Sequence, residues 1–270
     1  MTTVRIVPGA ERKLKNRVSL RTVIGNSLTM AYRNLLLIRR TPQQLFDVTI
    51  QPILFTLMFS FLFGGAISGS VSDYLPILIP GILATTALTA TMATGVQLRE
   101  DMDRGVFYRF KSMPIARIAP LTGPLIADIV RYGIATTLTL VMGYLLGFSW
   151  VSVGGALAAG VLIIFSSWCI SWVFALLGVL AKSAQIVQGI STAILFPLSF
   201  LSGAYVPTST LPSWLRDFVN INPLTYIVSA VRQLLNHGTI GNDFWLSLIG
   251  SIVVVLIFAP LTLRAYMRKA

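Results

Sequence analysis

Gly155 to Leu180 reads GALAAGVLIIFSSWCISWVFALLGVL, 26 consecutive residues without a charged side chain. As a helix this run would be ~39 Å long at ~1.5 Å per residue, enough to cross the ~30 Å hydrocarbon core of a bilayer. It is apolar on every face, so it is not the half-solvated helix of a soluble domain. Ile53 to Phe63, Ile77 to Val96 and Ile134 to Phe148 read the same way. Each would expose more apolar surface than a core of this size covers. Hydrophobic residues make up 55% of the 270 and charged residues 11%, and the mean hydropathy is +0.78. Those values place the chain outside the soluble globular class.

The runs are long and continuous, whereas a transmembrane barrel needs short alternating strands. Helices also satisfy their own backbone hydrogen bonds in lipid. The expected fold class is therefore an all-α polytopic membrane protein with six transmembrane helices: Leu45–Ile67, Tyr74–Leu98, Leu121–Phe148, Val151–Leu180, Ala184–Val206 and Phe244–Tyr266. Residues 1–44 form an N-terminal segment too polar to cross, and 45–270 form the membrane domain. No apolar signal-peptide core stands near Met1, so the N-terminus is expected to stay in the cytoplasm.

Charge placement carries the orientation, because Lys and Arg are retained on the cytoplasmic side during insertion. The N-terminal segment carries Arg5, Arg12, Lys13, Lys15, Arg17, Arg21, Arg33, Arg39 and Arg40. Arg99, Arg104, Arg109, Lys111 and Arg117 follow the second span, Lys182 the fourth, and Arg264, Arg268 and Lys269 end the sixth. Only Arg216 and Arg232 fall outside, and Arg131 sits within the third span. Both termini are thus expected to be cytoplasmic. The net charge of +12 follows from that asymmetry and fits attraction to anionic lipid headgroups. No nucleic-acid motif accompanies it, and no nucleic-acid partner is expected.

Leu20, Ile24, Leu28, Ala31, Leu35 and Ile38 recur every three or four residues, with Arg21, Arg33, Arg39 and Arg40 largely off that stripe. The pattern predicts an amphipathic helix on the cytoplasmic membrane face, either a simple anchor or a docking surface. The loop 99–118 mixes acids, bases and aromatics, starting with Glu100, Asp101 and Asp103 and ending with Lys111 and Arg117. Acids first and bases last suit a helix dipole, and Pro114 would stop such a helix. A short helix seated in a groove of a cytoplasmic protein is favoured over a solvated connector. On the outer side, residues 207–240 are broken by Pro207, Pro212 and Pro223 yet stay apolar. Two short half-buried, re-entrant helices are expected there. Asn222 before Pro223 marks the start of the second, whose apolar face runs through Leu224, Ile227 or Val228, Val231, and Leu234 or Leu235.

Leu201-Ser-Gly203-Ala-Tyr-Val206-Pro207, then Leu211-Pro212-Ser-Trp214-Leu215, then Asn222-Pro223-Leu224-Thr225-Tyr226 and Arg232 resemble the C-terminal signature of the ABC-2 type permeases. Asp103-Arg104-Gly105 to Arg109, with Met113-Pro114-Ile115 and Arg117, resembles the daunorubicin-resistance-type branch of that family. The resemblance covers the chain from about Leu20 onward. It implies a type V exporter permease in a bacterial plasma membrane, built from two permease copies and two ATP-binding subunits, the latter holding ATP and Mg. It further implies that Glu100, Asp101, Arg104, Gly105 and Arg109 lie at or near the contact with the ATPase. Apart from the resemblance, the apolar outer segment that holds Trp214, Phe218 and Tyr226 reads either as simple packing or as a region of substrate exit.

The residues themselves carry no phosphate loop of the Gly-x-x-x-x-Gly-Lys-Ser/Thr type, so ATP, if it is used at all, must be bound by another chain. Asp128 and Arg131 stand three apart on one helical face and are expected to pair. They lie near enough to the cytoplasmic end to snorkel, as a structural pair or a gate. Asp47 and Gln51 share a face at the start of the first span. No carboxylate or His stands near the middle of the spans as a proton relay, and there are no inverted halves. Gly143-x-x-x-Gly147 and Ala156-x-x-x-Gly160 have helix-packing spacing. Cys169 is the one cysteine and lies in a span; His237 is the one histidine, in an outer turn. Neither supports a metal centre, and Ser166, Ser167, Ser171 and Ser191 lack a nearby base. Catalytic, cofactor and metal sites are therefore not expected in this chain. Few fixed charges in the spans suit a hydrophobic or amphiphilic cargo. A polysaccharide exporter permease and a non-transport membrane scaffold stay open as alternatives.

Overall fold

The computed structural model describes residues 19–106, 115, 116, 118–206 and 212–269. These residues form ten helices. In chain order they are α1 (Leu20–Arg40), α2 (Pro42–Ser68), α3 (Val71–Ala90), α4 (Met92–Asp103), α5 (Ala119–Leu145), α6 (Val153–Leu180), α7 (Ala184–Phe200), α8 (Ser213–Ile221), α9 (Pro223–Asn236) and α10 (Asn242–Lys269). Arg109, Lys111, Pro114 and Arg117, the basic residues before Leu20, Pro207 and the side chain of Asp47 lie outside the described residues.

Five stretches are long and apolar enough to cross a membrane: Thr49–Ser68, Val71–Asp103, Ala119–Leu145, Val153–Leu180 and Asn242–Lys269. The expected fifth span is shorter than Ala184–Val206, because α7 ends at Phe200. Asn222 explains the stop. Its Nδ2 donates to the carbonyls of Leu198 (2.8 Å) and Leu201 (2.7 Å), while its Oδ1 accepts from the Leu224 amide (2.9 Å). One buried side chain thereby closes α7 and opens α9, with Pro223 at the first helical position.

The second span is not one uninterrupted helix. It pauses at Thr91, whose hydroxyl and amide both turn back to the Leu88 carbonyl, at 2.6 and 3.0 Å. Thr85 and Thr89 bond back one turn in the same way, a habit that loosens and bends helices. Beyond the pause α4 runs on to Asp103, so the expected loop 99–118 begins as helix.

The largest core cluster joins α3, α6 and α9 through Leu75, Ile79, Leu83, Leu162, Ile163, Val228 and Val231. Leu224, Ile227, Val231 and Leu234 are all buried, as the apolar face of α9 required. The stripe on α1 behaves differently: Ile24 and Leu28 are 59% and 54% exposed. Ala31 and Ile38 of the stripe are buried, together with Ser27, Met30 and Asn34 beside it, on the side of α1 that packs against α5. The reason is close approach, for a Cβ on Gly123 of α5 would lie 2.4 Å from Met30 Cβ.

Other small residues set the helix crossings. Gly147, half of the expected packing pair with Gly143, lies beyond the end of α5 with φ +100° and serves the turn. α4 crosses α6 closely: a Cβ at Gly95 would stand 2.3 Å from the Phe174 carbonyl oxygen, and one at Gly178 would stand 2.3 Å from that of Gly95. Gly95→Val is expected to lower stability by about 1–3 kcal/mol through overpacking. Gly250→Ala, where a Cβ meets nothing within 4 Å, is expected to leave it unchanged or slightly raised; thermal melting of both purified variants in detergent is the check.

Candidate functional site

Three helices end together at the basic end of the molecule. The α6 carbonyls there receive cations, as the negative end of a helix dipole favours: Arg99 donates to Ala181 O at 2.8 Å and Lys269 to Val179 O at 2.6 Å. Arg99 also pairs with Asp103, and Arg104 with Glu100 at 3.2 Å, both one turn apart on the exposed end of α4. Such exposed pairs contribute little to stability. Their effect is to leave a ridge of both charge signs, followed at once by Gly105 with φ +66°.

Of the residues expected at an ATPase contact, Glu100, Asp101, Arg104 and Gly105 thus sit together at the end of α4, and Arg109 lies outside the described residues. Asp101 differs from its neighbours. It is buried and faces inward, with Arg33 of α1 at 3.4 Å.

Asp101 is the last member of a polar row on α4. Gln97, one turn earlier, is buried and donates to Asn34 Oδ1 of α1 at 3.0 Å; Asn34 in turn donates to Met30 O at 3.0 Å. Thr94, one turn earlier again, donates to Asp128 of α5. Threonine, glutamine and aspartate at i, i+3 and i+7 therefore stitch α4 to α1 and α5. Sequence reasoning did not single out Thr94, Gln97 or Asn34, and took Arg33 only as a cytoplasmic charge off the α1 stripe. The signal was there, as a polar stripe at helical spacing inside an otherwise apolar run.

Asp128 continues the network to Arg131, with Oδ1 3.0 Å from Nη1 and both side chains 2% exposed. The pair is buried inside the helix bundle, so the snorkelling reading does not hold. Arg131 borders a cavity of 440 Å³ between α2, α3, α4, α5 and α7, into which Gln51, Thr89, Gln97 and Gln188 also face.

At the opposite end the other expected residues are spread out. Trp214 and Phe218 lie one turn apart on the exposed face of α8, continued by Ile221. Tyr226 is half-buried on α9, its hydroxyl donating to Asn220 O at 2.9 Å. Arg232 holds two carbonyls, Gly203 O at 2.9 Å and Ile77 O at 3.3 Å. Asn236 donates to Pro76 O at 2.9 Å. That carbonyl needs a donor because Pro80 has no amide to offer it. Cys169 is buried, and His237 is exposed at the end of α9.

Five stretches long and apolar enough to cross a membrane place the chain in the class of multi-pass membrane proteins. Residues 26–236 match the ABC-2 type transporter family, and the chain belongs to that family. It is 39% identical over 255 residues to the daunorubicin resistance ABC transporter permease protein DrrB1 of Streptomyces coeruleorubidus, across 92% of this chain and 88% of that protein. It is 24% identical over 220 residues to the inner membrane transport permease YadH of Escherichia coli, across 78% and 82% of the two chains. It is also 23% identical over 202 residues to the probable doxorubicin resistance ABC transporter permease protein DrrC of Mycobacterium tuberculosis, across 71% and 70%.

Removing one member of the buried pair strands the other. Asp128→Leu is expected to cost about 3–5 kcal/mol, whereas the Asp128→Leu, Arg131→Met double variant is expected to recover most of that loss. Melting curves of the three proteins in detergent decide it.

Proposed function

We propose that the chain is the membrane-spanning subunit of an ATP-driven exporter that moves an amphiphilic, drug-like molecule or lipid outward across the plasma membrane. ATP and Mg belong to a separate ATPase subunit, and two permease copies form the route. The similarity to a daunorubicin resistance permease over 92% of the chain is the observation that carries this reading. The supporting geometry is the length of the second span. Val71–Asp103 is 33 residues, ~50 Å of helix against a ~30 Å hydrocarbon core. The surplus would project the charged ridge into the cytoplasm, where an ATPase would grip it.

A grip there has consequences inside the membrane. Closure of two ATPase subunits on nucleotide would press on the end of α4, and the row Thr94, Gln97, Asp101 would carry the movement to α5 and α1. The pause at Thr91 supplies a place to bend, so inward- and outward-facing states would exchange about it. Asp128 and Arg131, next to the cavity, stand where such a movement would open or close a passage.

The cytoplasmic placement of both termini follows from the charges, and chain direction supports six crossings. α6 and α10 both end at the basic end, joined there by Lys269, so the chain between Leu180 and Asn242 must return to the other face. α7 makes that return, and its 17 residues meet the lower limit of about 17 for a span. On the outer side α8 and α9 would dip into the leaflet, with Trp214, Phe218 and Tyr226 at the point of release. Ile24 and Leu28, exposed on α1, would rest on the inner leaflet.

Co-reconstitution with the ATPase tests the coupling. Arg104→Glu combined with Arg109→Glu is expected to leave membrane insertion and ATP hydrolysis largely intact while abolishing vectorial transport of an amphiphile. Unchanged transport by that variant would count against the reading, and a permease fully active without any ATPase would end it.

A further inference from the structure

Helix α1 carries Arg21, Arg33, Arg39 and Arg40 and no acidic residue. One long side of it is tied down. Ser27 Oγ lies 2.8 Å from Thr122 Oγ1 of α5, Asn34 Oδ1 accepts from Gln97 of α4 at 3.0 Å, and Arg33 stands 3.4 Å from Asp101. These anchors fall at the start of α5 and the end of α4, so α1 lies across the basic end of the bundle rather than along the spans.

The opposite side is bare. Ile24, Leu28 and Tyr32 follow one another at one-turn intervals and are 59%, 54% and 64% exposed. Arg39 follows Arg21 by about five turns at ~3.6 residues each, so both stand on that same line, ~27 Å apart. Arg21, Arg39 and Arg40 are exposed and make no ion pair among the described residues. The acids described at this end are already paired: Asp101 with Arg33, Asp103 with Arg99 and Glu100 with Arg104.

An apolar strip with an arginine at each end suits hydrocarbon beneath a layer of phosphate. The strip sinks below the headgroups while the arginine stems lie along the apolar boundary and hold their charge among them. A guanidinium takes two phosphate oxygens side by side. Phosphatidylcholine carries its own cation beside that phosphate, whereas an anionic headgroup leaves the charge for the protein to meet. We infer that this face of α1 is a docking surface for anionic phospholipid, with Ile24, Leu28 and Tyr32 in the acyl region and Arg21, Arg39 and Arg40 on the phosphates. The inference rests on the placement of α1 on the inner leaflet and is independent of export.

The test uses the full chain with Cys169→Ala and a nitrobenzoxadiazole fluorophore on Leu28→Cys, without ATPase, in phosphatidylcholine nanodiscs. Phosphatidylglycerol or phosphatidylcholine carrying an acyl-chain nitroxide is the quencher. Phosphatidylglycerol is expected to half-quench at about fivefold lower mole fraction, the contribution of one arginine at an anionic surface. The Arg21→Gln, Arg39→Gln, Arg40→Gln triple variant is expected to lose that preference. The same fluorophore on Phe61→Cys, at an exposed site on α2, should be quenched equally by both lipids in both proteins, which also shows that the variant is inserted. Equal quenching of the Leu28→Cys probe would overturn the inference and leave α1 on the leaflet, whereas no quenching by either lipid would overturn both. An unchanged preference in the triple variant, or an equal one at Phe61→Cys, would also overturn it. Loss of all quenching once an ATPase subunit is added would assign the face to that protein and overturn the lipid as its occupant.

Discussion

A polar side chain that faces neither water nor headgroups must find its partner inside the protein, and that constraint fixes how α4 sits between α1 and α5. In an apolar environment an unpaired amide or carboxylate costs more than most single contacts supply. Thr94, Gln97 and Asp101 each have one available answer: Asp128, Asn34 and Arg33. A shift of α4 by one residue along its axis would break all three together. Apolar packing alone permits such slips, since leucine against lipid and leucine against leucine differ little.

The same helix is held on its other side by shape. Gly95 and Gly178 let α4 and α6 approach until backbone meets backbone, and Arg99 locks the end of α4 to the end of α6. The upper half of the span is different, with Pro76 and Pro80 inside α3 and threonines folded back on their own carbonyls. Between the fastened half and the loosened half lies Thr91. Force applied at Glu100 or Arg104 would therefore turn α4 as a stiff piece and bend the span at one place, which is what a lever requires.

How much of this was legible in the sequence depended on which physical signal a residue gave. Long apolar runs announced the helices, and Asn222-Pro223 announced the start of α9, because both rules act within a few neighbouring residues. The pause at Thr91 was hidden by apolar neighbours on both sides. The stripe Leu20, Ile24, Leu28, Ala31, Leu35 and Ile38 on α1 is split, with Ile24 and Leu28 exposed and Ala31 and Ile38 buried, because periodicity does not say whether an apolar face meets protein or lipid. Here the small and polar face, Ser27, Ala31 and Asn34, meets the protein. The Asp128–Arg131 spacing gave the pair, yet its burial depends on what α4 and α7 place around it, and one helix carries no record of its neighbours. The close glycines failed for the opposite reason. Gly143 and Gly147 had the familiar spacing, whereas Gly95 and Gly178 lie on different helices and share no pattern.

The exposed side of α7 bears on the proposed second copy. Gln185, Gln188 and Thr192 recur at helical spacing there, and all three are exposed. Amides turned toward hydrocarbon would be as costly as any buried unpaired group, so this stripe calls for water or another protein surface. Ile186, Ile190 and Ile194, also exposed, occupy the neighbouring face and are suited to lipid or to a packed helix. Gln188 belongs to both the stripe and the cavity wall. A second permease facing α7 across a two-fold axis would place its own stripe opposite, enclosing a polar route between the copies.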